Sequence, residues 1–282
     1  MKRFISVFAV LAILLASFSA CDKGEGVPFV TTKSQTTTAV NTVTVTFPEG
    51  FTVPDIAKRL EEKGVCSAES FIAACKMPRE GIQIDNADER VFLLEGYLFP
   101  DTYEFYLDSD AESVISKFIE NFNVKIDDEI KTKAAELGYS IDEILNLAAT
   151  IQKECDKDIG ECANVSSVFH NRMNSSEFSM LQSDVNRRYI TKSCAEYLGY
   201  RDGAEFEQQD ESVQRYLELY DTYKCKGLPA GPVCNPGIKA IRAAVNPAET
   251  DYFYFLSDPD GNFYYAHTYS KHKENGRKAG IM

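Results

Sequence analysis

The chain of 282 residues has no tryptophan and only three histidines, His170, His267 and His272. Aromatic stacking on any ligand therefore falls to its 15 tyrosines and 18 phenylalanines. No Cys-x-x-C pair and no histidine-rich cluster occurs. The common structural zinc spacings are thus missing, and no metal or cofactor is expected. There is no P-loop, no dinucleotide fingerprint and no Gly-x-Ser-x-Gly elbow. Nucleotide chemistry and the usual serine-hydrolase arrangement are left without support. Basic residues are in the minority: 30 Lys and Arg against 43 Asp and Glu give a formal net charge of −13. A nucleic-acid binder needs a basic surface to neutralise phosphates, so that class is disfavoured. Hydrophobic residues make up 44% and charged residues 26%, which excludes a disordered or multi-span chain. No internal repeat is visible.

What is present begins with an export signal. Lys2 and Arg3 precede an uncharged run from Phe4 to Ala20, and Cys21 follows the small residues Ser19-Ala20. The polar stretch Asp22-Lys23-Gly24-Glu25-Gly26 starts at once. Residues 1–21 read as a lipoprotein-type signal with Cys21 as the lipidated residue. An uncleaved membrane anchor and simple secretion are the alternatives. All three put the folded part on the extracytoplasmic face of the cell membrane. Residues 22–41, rich in Thr, Ser, Lys and Gln, read as a flexible tether. Export permits disulfides. Seven cysteines remain besides Cys21, an odd number whose pairing spacing alone does not give. On one continuous helix Cys155 and Cys162 would stand about 10 Å apart, too far to bridge.

The remaining pattern predicts an α+β fold. Thr42-Val43-Thr44-Val45-Thr46-Phe47 alternates as a strand does, and a helix follows from Val53 to a stop at Gly64. Ser67 opens another helix. This β-α-α unit, 42–79, is too small to bury a core alone and must pack on residues 80–282. There, helices are expected near 110–122, 124–137, 140–155, 161–173 and 237–246. Strands near 251–257 and 262–267 form a C-terminal β-hairpin about Asp258-Pro259-Asp260-Gly261.

Four segments carry chemistry. Ser140 and Glu143 fit a capping box, so the helix over 140–155 is well started. Ile144, Leu147, Ala148 and Ile151 form its apolar stripe, and Glu154 lies about 20° from Leu147 around the axis. A carboxyl on a buried-facing stripe has its pKa raised and suits general-acid work, as in the lysozyme pattern. The alternative is a helix-end glutamate turned to solvent or paired with Lys153 or Lys157. The second segment, Leu94 to Phe105, interleaves Tyr97 and Tyr103 with Glu95 and Asp101 about Gly96 and Pro100. Such rings stack on sugars while acids accept from hydroxyls, or else the run is a buried aromatic turn. The third holds Asn171, Arg172, Gln182, Ser183 and Asp184. The fourth runs from Tyr220-Asp221-Thr222-Tyr223 into a Gly- and Pro-rich loop containing Asn235.

In this order, Glu95-Gly96-Tyr97-Leu98-Phe99-Pro100-Asp101-Thr102-Tyr103, Lys153-Glu154, Asn171-Arg172, Leu181-Gln182-Ser183-Asp184, Tyr220-Asp221-Thr222-Tyr223, Gly227-Leu228-Pro229 through Pro236-Gly237, and Thr268-Tyr269-Ser270-Lys271-His272 resemble the endolytic murein transglycosylase (MltG, YceG-like) family. The resemblance runs from about Thr42 to His272. It implies a LysM-like subdomain at 42–79 and a largely helical catalytic domain at 80–282. It implies a lytic transglycosylase that cuts the MurNAc–GlcNAc bond of peptidoglycan within the strand, leaving a 1,6-anhydro end. Glu154 maps to the catalytic glutamate. Glu95, Tyr97, Asp101, Tyr103, Asn171, Gln182, Asp184 and Asn235 become candidate substrate contacts. Glycan strands are the implied partner, and a peptidoglycan synthase is possible beside them. Gln152 and Cys155 depart from the family's Glu-Lys-Glu-Thr, Val185-Asn186-Arg187 from its Pro-Thr run, and Lys271 from a glutamate. These departures keep a non-catalytic wall-binding lipoprotein of the same fold as an alternative, and a hydrolytic muramidase as a third.

Overall fold

The structure, a computed structural model, describes residues 41–155 and 157–281. The expected export signal with Cys21, and nearly all of the expected tether, lie outside them. No helix among the described residues is long and apolar enough to cross a membrane.

Strand β1 (Thr42–Thr46) buries Val45 and turns its threonines outward. Thr52 and Asp55 form a capping box that starts α1 (Val53–Glu62), and Gly64 follows that helix with φ +69°. Helix α2 (Ala68–Cys75) is capped by Ser67. The partner of β1 is β2 (Thr102–Tyr106), antiparallel, with Thr42 opposite Tyr106 and Thr46 opposite Thr102. The sequence pattern gave no strand there. It forms because Tyr103 and Phe105 point to one face and meet Phe47 and Phe118. Thus the sheet of the β-α-α unit closes only with residues beyond 79.

Next come α3 (Ala111–Lys125), α4 (Asp128–Leu137), α5 (Ile141–Glu154) and α6 (Ile159–Met173). The predicted capping box at Ser140 and Glu143 is present. A short α7 (Asp184–Arg188) runs into a π-helical turn at Tyr189–Ser193 and then α8 (Ala195–Leu198) and α9 (Glu211–Leu219). Helix α10 (Ile238–Val245) brings Ala240, Ala243 and Ala244 against α5 and α6. The hairpin β3 (Tyr254–Ser257) and β4 (Phe263–Ala266) precedes α11 (Tyr269–Lys278).

Two apolar cores result. One gathers Val45, Phe47, Ile56, Leu60, Phe71, Phe105 and Phe118 with Tyr189, Leu217 and Tyr220. The other joins α4, α5, α6 and α10 through Ile130, Leu147, Ile151, Phe169 and Ile241. The segment Leu94–Phe99 and Asn235 lie between them. Asn235 Oδ1 accepts from the backbone N–H groups of Gly96 and Leu98, each at 2.9 Å. Its Nδ2 donates to Phe51 O and to Glu95 Oε1. Gly96 has φ +92°, and a Cβ there would lie 2.6 Å from Pro232 Cγ, so only glycine fits. Arg90 and Asp142 form a buried ion pair nearby, with Arg90 Nη1 2.9 Å from Asp142 Oδ1. Such a pair contributes little net energy, but losing one partner strands a buried charge.

Candidate active site

Helix α5 ends at Glu154 because Cys155 turns extended, with φ −137° and ψ 115°. The carboxyl is thereby left at the rim of the second core, facing the segment 181–184. That segment is fixed by a reciprocal clamp with Thr222, which is fully buried. Gln182 N–H donates to Thr222 O at 2.9 Å and Ser183 N–H to Thr222 Oγ1 at 2.9 Å. The Thr222 hydroxyl donates back to Ser183 O at 2.8 Å. Gln182 is held with φ +53°, a left-handed conformation that a non-glycine residue adopts at some cost. The result is a Ser183 hydroxyl donating to Glu154 Oε1 at 2.6 Å.

The cleft around this contact has a volume of about 230 Å³. It is lined by Glu154, Ser183, Arg172, Asp184, Tyr223 and Phe255, with Gln182 and Arg188 beside them. Arg172 is buried and rigid. Its Nε donates to Phe253 O at 2.7 Å, another nitrogen donates to Leu181 O, and the guanidinium lies 5.7 Å above the Tyr254 ring. Burial pushes the Glu154 carboxyl above its ordinary value. The Ser183 hydroxyl opposes that rise, the Asp184 charge adds to it, and Arg188 and Arg172 pull it back. A carboxyl so placed can hold a proton, deliver it, and then be stabilised as an anion by a hydroxyl and two cations. A larger cavity of about 320 Å³ beside Ile82, Tyr97 and Phe122 offers no such acid, since its Asp142 is committed to Arg90.

Of the residues singled out in the sequence, Glu154, Gln182 and Asp184 meet in this cleft. The others were expected to touch sugar; in the structure their side chains also bond to protein. Glu95 is fully buried and accepts from Val53 N–H, the Tyr189 hydroxyl and Asn235. Tyr97 OH is 2.6 Å from Asp142 Oδ1, and Tyr103 OH donates to Phe99 O at 2.6 Å. Asp101 pairs with Lys125 at 3.0 Å. Asn171 donates to Thr250 O and Tyr252 O, each at 2.9 Å, which ties α6 to the approach of the hairpin. Asn235 binds the junction described above. Glu95, Tyr97 and Asn235 belong to a satisfied polar seam between the two cores. Ser183, Thr222, Arg172, Arg188, Tyr223 and Phe255 were not assigned a role from sequence. Four of them stood inside quoted motifs, which was the available signal; Arg188 and Phe255 had none.

A model of the YceG-like family matches residues 28–278. The chain belongs to the YceG-like family. Among its relatives is the endolytic murein transglycosylase of Streptococcus pneumoniae serotype 2, 27% identical over a 251-position alignment that covers 82% of this chain and 44% of that protein. The endolytic murein transglycosylase of Bacillus subtilis is 30% identical over 189 residues, 66% of this chain and 48% of that one. The chain thus spans about half the length of the curated relatives it matches. A YceG-like protein of known crystal structure from Listeria monocytogenes shares the fold, with a TM-score of 0.63 at 24% identity over 83% of this chain and 76% of that chain.

Proposed function

We propose that this YceG-like chain is an endolytic lytic transglycosylase of peptidoglycan, acting at the outer face of the cell membrane to which Cys21 or the apolar segment before it anchors the chain. The observation that carries this is a half-buried Glu154 whose carboxyl is raised in pKa by burial and gripped by Ser183 in a cleft lined with polar and aromatic side chains. Its relatives' printed name, endolytic murein transglycosylase, supports the substrate class.

Glu154 begins protonated and gives its proton to the oxygen between MurNAc and GlcNAc. Positive charge develops at C1 as that bond lengthens. The carboxylate left behind is steadied by Ser183, Arg172 and Arg188. It then takes the proton from the C6 hydroxyl of the same MurNAc ring, and that oxygen closes on C1. The nucleophile belongs to the ring under attack, so little entropy is lost in bringing it up. Gln182, Asp184, Tyr223 and Phe255 are the side chains positioned to hold the sugars. The unit formed by β1, α1, α2 and β2 is read as LysM-like, supported by two helices sharing a core with an antiparallel strand pair. A synthase that feeds new strands to the cleft is a fitting partner.

Digestion of purified glycan strands tests the activity. Soluble fragments several disaccharides long are expected from internal cutting. Co-sedimentation with peptidoglycan and no fragments would instead fit the non-catalytic wall-binding lipoprotein. Asp184 beside Glu154 favours one second reading, a hydrolytic muramidase in which the second acid activates water.

Ser183→Ala probes the grip. Removing a contact that lowers the Glu154 pKa raises it further, so the alkaline limb of kcat/KM moves to higher pH. The loss of a hydrogen bond to the nascent carboxylate is expected to cut kcat roughly tenfold. A pH–rate profile with an unmoved limb would remove Ser183 from this role.

A further inference from the structure

The end of α5 carries a second chemical feature. Because the chain leaves the helix after Glu154 and starts α6 at Ile159, Cys155 and Cys162 are not on one continuous helix. Cys162 Sγ lies 3.6 Å from the backbone oxygen of Cys155, and both cysteines line the same cavity. Both are in the thiol form and both are buried. This cavity of about 220 Å³ also presents Lys157 and Lys239, with Glu49 as its one acid. Cys155 N–H donates to Ile151 O at 2.8 Å, so the sulfur sits directly on the last turn of the helix that carries Glu154.

We propose that Cys155 and Cys162 are a reversible disulfide site that clamps the end of α5, and with it Glu154, to the first turn of α6. The consequence for catalysis rests on the transglycosylase reading; the disulfide itself does not. The oxidant is a low-molecular-weight disulfide bearing carboxylates, which Lys157 and Lys239 complement. The neighbouring Cys155 side chain holds the Cys162 thiol below its ordinary pKa against the effect of burial, and Lys239 lowers it further, so Cys162 is the first thiolate. Its sulfur attacks the external disulfide, forming a mixed disulfide and expelling one thiol. Cys155, its proton lost to solvent, attacks Cys162 sulfur and expels the second. Two protein thiols and one external disulfide become one protein disulfide and two external thiols.

The test uses the purified full-length chain equilibrated with oxidised or reduced glutathione. Free thiols are alkylated and the denatured protein is cut with a lysine-specific protease. Lys157 separates the two cysteines, so peptides 154–157 and 158–192 stay joined only through the disulfide. The joined pair is expected after oxidation, and not after reduction or in Cys155→Ser or Cys162→Ser. Amide exchange at Cys155 is expected to slow on oxidation. On glycan strands kcat is expected to be roughly three- to tenfold higher in the oxidised form at unchanged KM, below the ~100-fold that a 1 Å misplacement can cost. Both cysteines alkylated after oxidation would overturn the site. A joined pair with unchanged exchange at Cys155 and unchanged kcat would overturn the clamp. A chain without lytic activity in either state refutes the transglycosylase reading, while the joined peptide and the exchange rate still decide this one.

Discussion

Glu154→Gln is expected to lower kcat on glycan strands by at least about 10³-fold with KM within about threefold of wild type. A single proton transfer by a positioned side chain contributes roughly 10²- to 10⁴-fold, and in the proposed mechanism one carboxyl serves two transfers. Gln keeps the oxygen that accepts from Ser183 at 2.6 Å, so the cleft retains its shape. It also removes a charge that the fold disfavours. A carboxyl raised in pKa on folding stabilises the native state at low pH and ceases to do so as pH rises through the folded value. At neutral pH and above, the Gln variant should therefore melt no lower than wild type. Thermal unfolding beside steady-state kinetics checks both halves. A variant with wild-type melting and most of its kcat would exclude Glu154 as the acid.

Glu95 is expected to dominate the pH dependence of stability. It is fully buried, and burial pushes its carboxyl up to about 8, against the lowering effect of Val53 N–H, Tyr189 and Lys153. The folded value lies above the unfolded one. The stabilisation is then complete below the unfolded value of about 4.5 and is lost as pH rises through about 8. Over that window the linkage is on the order of 5 kcal/mol, at about 1.4 kcal/mol per unit. Urea unfolding at pH 5 and pH 8 should show wild type losing much of its stability while Glu95→Gln loses far less. Glu95→Ala leaves Val53 N–H, the Tyr189 hydroxyl and Asn235 Nδ2 without a buried partner, at about 1–3 kcal/mol each, and should fail to fold or melt far lower. Parallel pH profiles for wild type and the Gln variant would show that Glu95 is already ionised in the native state.

Local signals carried much of the fold. The alternation at Thr42–Thr46, the stop at Gly64 and the capping box of Ser140 with Glu143 each act within a few residues, and each element appears where those signals put it. Strand β2 was not legible because its partner lies about sixty residues away and Gly96 and Pro100 mark its approach as a turn. Helix α11 was missed for another reason. Its sequence is almost wholly polar, so no apolar period announces it, and it is held by the Thr268 cap and by Asn275 donating to Tyr265 O. Within the site, helical geometry set Glu154 near the buried stripe but left a solvent-facing placement open; the Ser183 contact is what distinguishes the two. The partition between cleft and junction did not follow from helical geometry. Glu95 and Asn235 are 140 positions apart and read as exposed polar groups until the chain closes on them. Thr222 clamping Gln182 and Ser183 is equally non-local.

The decisive measurement is the chemistry of the new strand end. Purified glycan strands are incubated with the wild-type protein in oxygen-labelled water, and any new ends are weighed by mass spectrometry. One acid working with an intramolecular nucleophile produces anhydro ends, one water lighter than reducing ends and free of label. Reducing ends carrying the label would mean that water attacks C1, and the two-step role given to Glu154 would be wrong.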